Sequence, residues 1–265
     1  MSSSELIARI MSDDPEEMMP PAEGGKELNA RQVELLRKWV LSGAQYEEPW
    51  AYVVPSNPPL PAVKDKKWGS NWIDSFILRA IEEEGLKPAP DADPVTLVRR
   101  LHFDLTGLPP GPEVVESYSR NADKKAGYEQ LVDQLLDSQH FGERMAVYWL
   151  DLVRFADTVG YHGDQDHNIT PYRDYVIDAF NQNLPFDRFT REQLAGDLLE
   201  NPTIDQQVAT GYNRLLQTSH EGGVQAKEYL AIYAADRMRN LSAVWMGATL
   251  GCAQCHDLSL IHISE

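Results

Sequence analysis

The sequence predicts an all-α fold: an irregular multi-helix domain preceded by a smaller helical segment. Three observations carry the prediction. From Asn71 onward, apolar residues recur at three- and four-residue spacings, the period of one helix face. Polar cap residues precede several of these runs at capping-box spacing. No stretch alternates in the manner of a half-buried strand, and no internal repeat is visible.

Taken in order, residues 1 to about 48 hold a short helix, an acidic turn and a second helix. The second is well specified: Asn29 is an N-cap with Gln32 three residues on, Val33, Leu36, Trp39 and Val40 form one stripe, and Gly43 supplies the stop. Pro55 to Pro61 has four prolines in seven residues, too many for a helix or a central strand, and reads as an extended linker. Beyond it, Trp72, Phe76, Ile77, Ala80 and Ile81 make a helical stripe ending near Gly85. Val95 to Leu105 is a further helix, stopped by Gly107-Leu108-Pro109-Pro110. Tyr128, Leu131, Leu135 and Leu136 mark the next, and Met145, Trp149, Leu152, Val153 and Ala156 the one after. Tyr172 to Asn181 follows. Thr190 with Gln193 is read as opening a helix, Pro202-Thr203 as opening another near Ile204 to Leu215, and Ala226 to about Leu250 as a long final helix.

Composition narrows the function. The 265 residues include 42% hydrophobic side chains, which permits an ordinary core. The net charge of −17 repels phosphate backbones and argues against nucleic-acid binding. No run approaches the roughly eighteen apolar residues of a membrane helix.

Both cysteines of the chain fall in Cys252-Ala253-Gln254-Cys255-His256. This is the attachment pattern of a c-type haem. Two thiols three residues apart on a turning backbone can each add across one porphyrin vinyl group, and the adjacent imidazole is then held beneath the ring as proximal iron ligand. Other readings stay open. A four-cysteine zinc site is excluded with two cysteines, so zinc would have to recruit distant histidines or carboxylates. A thiol redox pair expects its CxxC at a helix start after a strand, whereas Ala234 to Gly251 reads as helix running into a turn. A structural disulfide is the third.

Further residues join the candidates. The sixth iron ligand would come from His162, His167, His220, Met238, Met246 or a residue after the last one here. Asp151, Arg154 and Asp157 recur at threes on a predicted helix face, with Tyr161, His162, Asp164, Asp166 and His167 just beyond. They suit a divalent cation or acid–base work on a sugar, or an intrahelical ion pair beside a solvated loop. His220-Glu221-Gly222-Gly223 is a polar turn, and Arg237 is a candidate partner for haem propionates.

From about residue 64 to Asp257 the chain resembles the planctomycete-type cytochrome proteins carrying the DUF1549 (PSCyt2) domain. The matching segments are Arg100 to Pro110 (RLHFDLTGLPP), Trp149 to Thr158 (WLDLVRFADT), Pro185 to Thr190, Gln193 to Asp197 and Thr249 to Asp257. Residues 1–54 resemble the C-terminal part of the cytochrome c-like PSCyt1 domain, in which Met19-Pro20-Pro21 corresponds to the loop carrying an axial methionine. The resemblance therefore implies a domain order of 1–54, a linker at 55–63, the helical haem domain at 64–257, and a non-native tail at 258–265, where the family pattern stops. It implies haem c as cofactor, with Cys252 and Cys255 holding the porphyrin, His256 on its iron, and Met19 on the iron of a separate haem whose own CxxCH would lie upstream. Met1-Ser2-Ser3-Ser4-Glu5 has no basic start leading into an apolar stretch. Since bacterial haem c is attached outside the cytoplasmic membrane, the chain is expected to be a piece of a longer periplasmic or secreted protein. The expected activity is electron transfer to a redox partner protein. The alternatives are a haem-linked enzyme acting on polysaccharide, through the full-length protein, and a non-haem metal or thiol redox module.

Overall fold

Polar side chains present in the sequence open five of the helices, and these caps fix where the chain begins to coil. The computed structural model describes residues 4–21, 24, 27–45, 53–121, 124–161, 163–219 and 221–255. Among them are eleven α-helices and no strand, with one isolated bridge between Thr158 and Asp166. The chain is all-α, as its periodicity predicts. It divides into two compact units, Met1–Ala62 and Val63–Glu265.

The first unit contains α1 (Glu5–Ile10) and α2 (Ala30–Leu41). Both halves of the predicted capping box form: Gln32 N donates to Asn29 Oδ1 (3.0 Å) and Asn29 N to Gln32 Oε1 (2.9 Å). Val33, Leu36 and Val40 are half-buried.

The second unit runs through α3 (Trp72–Glu83), α4 (Pro94–Leu105), α5 (Pro112–Arg120), α6 (Lys124–Leu136), α7 (Gln139–Leu152), α8 (Thr170–Asn181), α9 (Phe186–Ala195), α10 (Ile204–Ala209) and α11 (Ala226–Met246). Short 3-10 turns at Gly196–Leu198, Thr210–Arg214 and Gly251–Gln254 join or follow the later helices. Its apolar interior has two parts. Val98, Tyr118, Leu131 and Leu135 bring α4, α5 and α6 together. The larger part gathers Ala146, Trp149, Tyr172, Val176, Phe189 and Tyr212 from α7, α8, α9 and the Thr210–Arg214 turn.

Several sequence expectations need correction. On α3 the stripe is rotated: Leu78 is the buried residue, while Trp72 and Ile77 lie exposed. The polar residues decide this. Asp74 accepts from Ser70 N (2.7 Å) and Asn71 N (3.1 Å), and Glu82 accepts from Lys64 N (3.0 Å), so that face turns toward the preceding segment. Helix α5 was not expected. Its start is Pro112, whose missing N–H costs nothing in the first turn. Thr190 does not open a helix: α9 begins at Phe186, and Thr190 Oγ1 donates to Phe186 O (2.8 Å) in its interior. The segment after Thr203 is α-helical only to Ala209 before tightening to 3-10, and the last helix stops at Met246, four residues short of Leu250.

Helices α7 and α8 pack through a glycine. A Cβ built on Gly142 would lie 2.4 Å from Ile177 O and 2.5 Å from Asn181 Cγ. The close approach is used: Gly142 N donates to Asn181 Oδ1 (2.7 Å), and Asn181 Nδ2 donates to Gln139 O (3.1 Å). At the centre, Trp149 Nε1 donates to Gln193 Oε1 (3.0 Å), as does the Tyr172 hydroxyl (2.6 Å), and Gln193 Nε2 donates to Phe189 O (3.2 Å). Gln193 is fully buried, so these bonds satisfy an amide that would otherwise be costly.

The neighbouring Glu192 is also buried and accepts from the Tyr175 hydroxyl (2.9 Å), Arg188 Nε (2.8 Å) and Gln206 Nε2 (3.0 Å), joining α8, α9 and α10. Burial alone would raise its carboxyl pKa. The hydrogen bonds from Gln206, Arg188 and Tyr175, with the charge of Arg188, outweigh burial and hold it below the ordinary 4.5.

Two outcomes are expected. Gly142→Ala should lower the unfolding free energy by about 1–3 kcal/mol in denaturant titration, because a methyl is forced onto a backbone carbonyl. Because the folded pKa of Glu192 is depressed, its stabilisation is full above 4.5 and is lost as pH falls below that value. Thermal melts of wild type and Glu192→Gln should therefore differ most near neutrality, with Glu192→Gln the less stable by about 1–3 kcal/mol, and converge in acid.

Candidate functional site

Helix α11 carries the cysteine turn at its end, and what positions the turn is how α11 is held. One attachment is aromatic. The Trp245 ring lies 5.0 Å from Trp149 and 5.9 Å from Phe186, centroid to centroid, and 6.0 Å from Tyr212. Tilted contacts of this kind add to the area buried. Burial raises the Tyr212 hydroxyl pKa, opposed by the adjacent Trp245 indole and the charge of Arg154.

The other attachment is ionic. Arg154 Nη1 and Nη2 reach Asp236 Oδ1 (3.1 Å) and Oδ2 (2.8 Å), a two-pronged pair, and Nη2 also donates to Leu215 O (3.4 Å). Arg237 Nε donates to Asn213 O (2.9 Å), a further tie of α11 to the core.

Gly247 then ends the helix in a left-handed conformation (φ 59°), open to glycine without a side-chain clash. The reversal is sealed on Ser242, which is fully buried: Gly247 N and Ala248 N donate to its carbonyl, and Leu250 N to its hydroxyl (3.4 Å). The Gly251–Gln254 turn follows, with Cys255 N donating to Cys252 O (3.2 Å). Cys252 and Cys255 are both free and both exposed. Arg239 Nη2 donates to Gln254 Oε1 across the turn, placing a guanidinium beside the cysteines. From the sequence Arg239 stands with Asp236 and Arg237 one to two helical turns from Trp245, with Arg237 preferred; the structure puts Arg239 against the cysteine turn. What decides this is Gly247, the helix stop that folds the cysteine turn back along α11.

Other predicted ligands are scattered. His256, His162, His220 and residues 258–265 lie outside the described residues. Met238 and Met246 are exposed on α11, His167 is half-buried in the loop after α7, and Met19 is 46% exposed in the first unit, where its N–H donates to Arg9 O (3.1 Å).

The predicted acidic helix face is not formed. Helix α7 ends at Leu152, Arg154 is left-handed (φ 62°) and paired with Asp236 instead of Asp151, and Asp157 sits in a loop whose carbonyl accepts from His167 N (2.7 Å). Asp164 spends Oδ1 on Gly160 N (2.8 Å). No group of three or more His, Cys, Asp or Glu side chains suited to a metal ion gathers among the described residues. No helix among them is long and apolar enough to cross a membrane.

Residues 72–265 match the family described as PSCyt2, a protein of unknown function (DUF1549). The chain belongs to the PSCyt2 family. The match takes in α3 to α11 and the cysteine turn, about three quarters of the sequence. No curated protein and no solved structure matches the chain.

In this PSCyt2 domain the attachment of α11 is open to a direct check. Asp236→Ala should cost about 1 kcal/mol in global stability, since the half-exposed Arg154 leaves the pair screened by solvent. Amide exchange should accelerate more in α11 than in α8, whose amides open with the core.

Proposed function

We propose that this PSCyt2 domain binds haem c covalently through Cys252 and Cys255 and takes part in one-electron transfer. The observation that carries the reading is the pair of free, exposed thiols on one short turn, followed directly by His256. Their chemistry fits the group: unbridged sulfurs three residues apart suit two thioethers, and His256 would supply the proximal imidazole. Bound there, the haem supplies a reversible one-electron couple.

The chain's own residues do the rest. Ser242 and Gly247 hold the turn against the end of α11, so the two sulfurs keep a defined spacing. Trp245 and the Arg154–Asp236 pair fix α11 to the core, which limits how far the site reorganises when charge changes. Arg239 offers a cation beside the cysteines, where it would pair with a propionate carboxylate. Met19 is proposed as a ligand to a different haem, in a PSCyt1-type first unit. A periplasmic or secreted location and a redox partner protein go with this reading.

Chain matured with haem-attachment machinery should give a Soret band that survives acid–acetone extraction. Cys252→Ser and Cys255→Ser together should abolish the covalent band and leave helical content unchanged by circular dichroism. A double variant that keeps acid-resistant colour would contradict attachment at these sulfurs.

A further inference from the structure

On the side of the core that receives Arg154 there is a cavity of about 320 Å³, between the loop after α7 and the residues following the Thr210–Arg214 turn. Its size suits a small-molecule ligand. Its charge is opposite to that of the chain. The protein carries −17 overall, yet the residues lining this cavity bring two arginines, Arg154 and Arg214, with His167 and the amide of Gln217, and no carboxylate. Arg154 is paired with Asp236 through both Nη atoms, which offsets its charge, while its Nε makes no bond to a described residue and its side chain is 47% exposed. Arg214 is exposed, and its guanidinium has no hydrogen bond or ion pair with any described residue. Val159 and Leu215, both buried, supply an apolar wall.

The frame is fixed before any ligand arrives. Thr158 bridges Asp166, Val159 N donates to Gln165 O (3.0 Å), His167 N to Asp157 O (2.7 Å), and Thr218 N to Val159 O (3.3 Å). Arg154 keeps a left-handed backbone that a non-glycine residue adopts at a cost, and the conformation turns its side chain from the α7 face toward this cavity and Asp236. Forked guanidinium donors on a rigid rim, partly shielded from water, are the chemistry that recognises an oxyanion.

We propose that this cavity is a binding site for a small ligand bearing an oxyanion group, held between Arg154 and Arg214 with His167 and Gln217 completing the donors. The inference is independent of haem attachment, since none of these residues belongs to the cysteine turn.

The test is calorimetric titration of the protein with inorganic phosphate, sulfate and acetate at constant ionic strength, against chloride. Saturable binding of at least one anion is expected, and the ranking of tetrahedral against planar anions identifies the headgroup. Arg214→Gln should weaken that binding at least about tenfold, the loss of one charge-assisted contact. Its melting temperature in chloride should not change, because Arg214 holds no described partner. His167→Gln should weaken binding as well. Arg79→Gln, which removes an equal charge from the exposed pair with Glu83 on α3, should leave it intact. Absence of saturable binding for all three anions, unchanged affinity in Arg214→Gln, or an equal loss in Arg79→Gln would each overturn the assignment.

Discussion

The seating of α11 on the α7–α8–α9 core is the constraint on which the cysteine turn depends. A 21-residue helix whose surface carries exposed Leu230, Met238 and Met246 has no continuous apolar stripe to hold it down. Its hold comes from a few points: Trp245 against Trp149, Asp236 on Arg154, and Arg237 on Asn213. Trp149 is itself fixed, because its indole N–H is bound to Tyr172 and Gln193 in the interior. The position of the two sulfurs is therefore inherited, through one indole pair and one ion pair, from a polar cluster deep in the domain.

That cluster explains why so much of the interior is not purely apolar. Glu192 and Gln193 are adjacent on α9 and both buried, yet they serve different neighbours. Gln193 ties α7 and α8 to α9, while Glu192 ties α8 and α10 to it. Buried polar groups whose bonding capacity is met specify one arrangement of helices, since a helix that slides leaves a charge or an amide unpaired. Breaking one partner is costly for the same reason. The geometry of α7 follows. It ends abruptly at Leu152, and the left-handed Arg154 then reaches α11 and the basic cavity together.

How much of this was legible in the sequence depends on the range of the interaction. The Asn29–Gln32 and Thr203–Gln206 boxes close within three residues and could be seen or nearly seen in advance. The Cys252–His256 spacing and the membership of the PSCyt2 family are likewise local, motif-borne signals. Misreadings arose where local spacing was overruled by distant partners. Thr190 and Gln193 have capping-box spacing, but Gln193 is drawn into the interior by Trp149 and Tyr172. The Asp151–Arg154–Asp157 period suggested one helix face, but Arg154 found its carboxylate 82 positions away. The α3 stripe was misplaced because Glu82 is claimed by backbone N–H groups of the segment before the helix. Arg237 and Arg239 are both near the turn in sequence, and only the fold-back at Gly247 decides that Arg239 is the one against it.

The most direct measurement is proteolytic mapping by mass spectrometry of protein produced with haem-maturation machinery. The account predicts that the peptide containing Cys252 and Cys255 carries the mass of one haem, resistant to thiol reductants and acid. Recovery of that peptide at its bare mass, with both thiols open to alkylation, would contradict it.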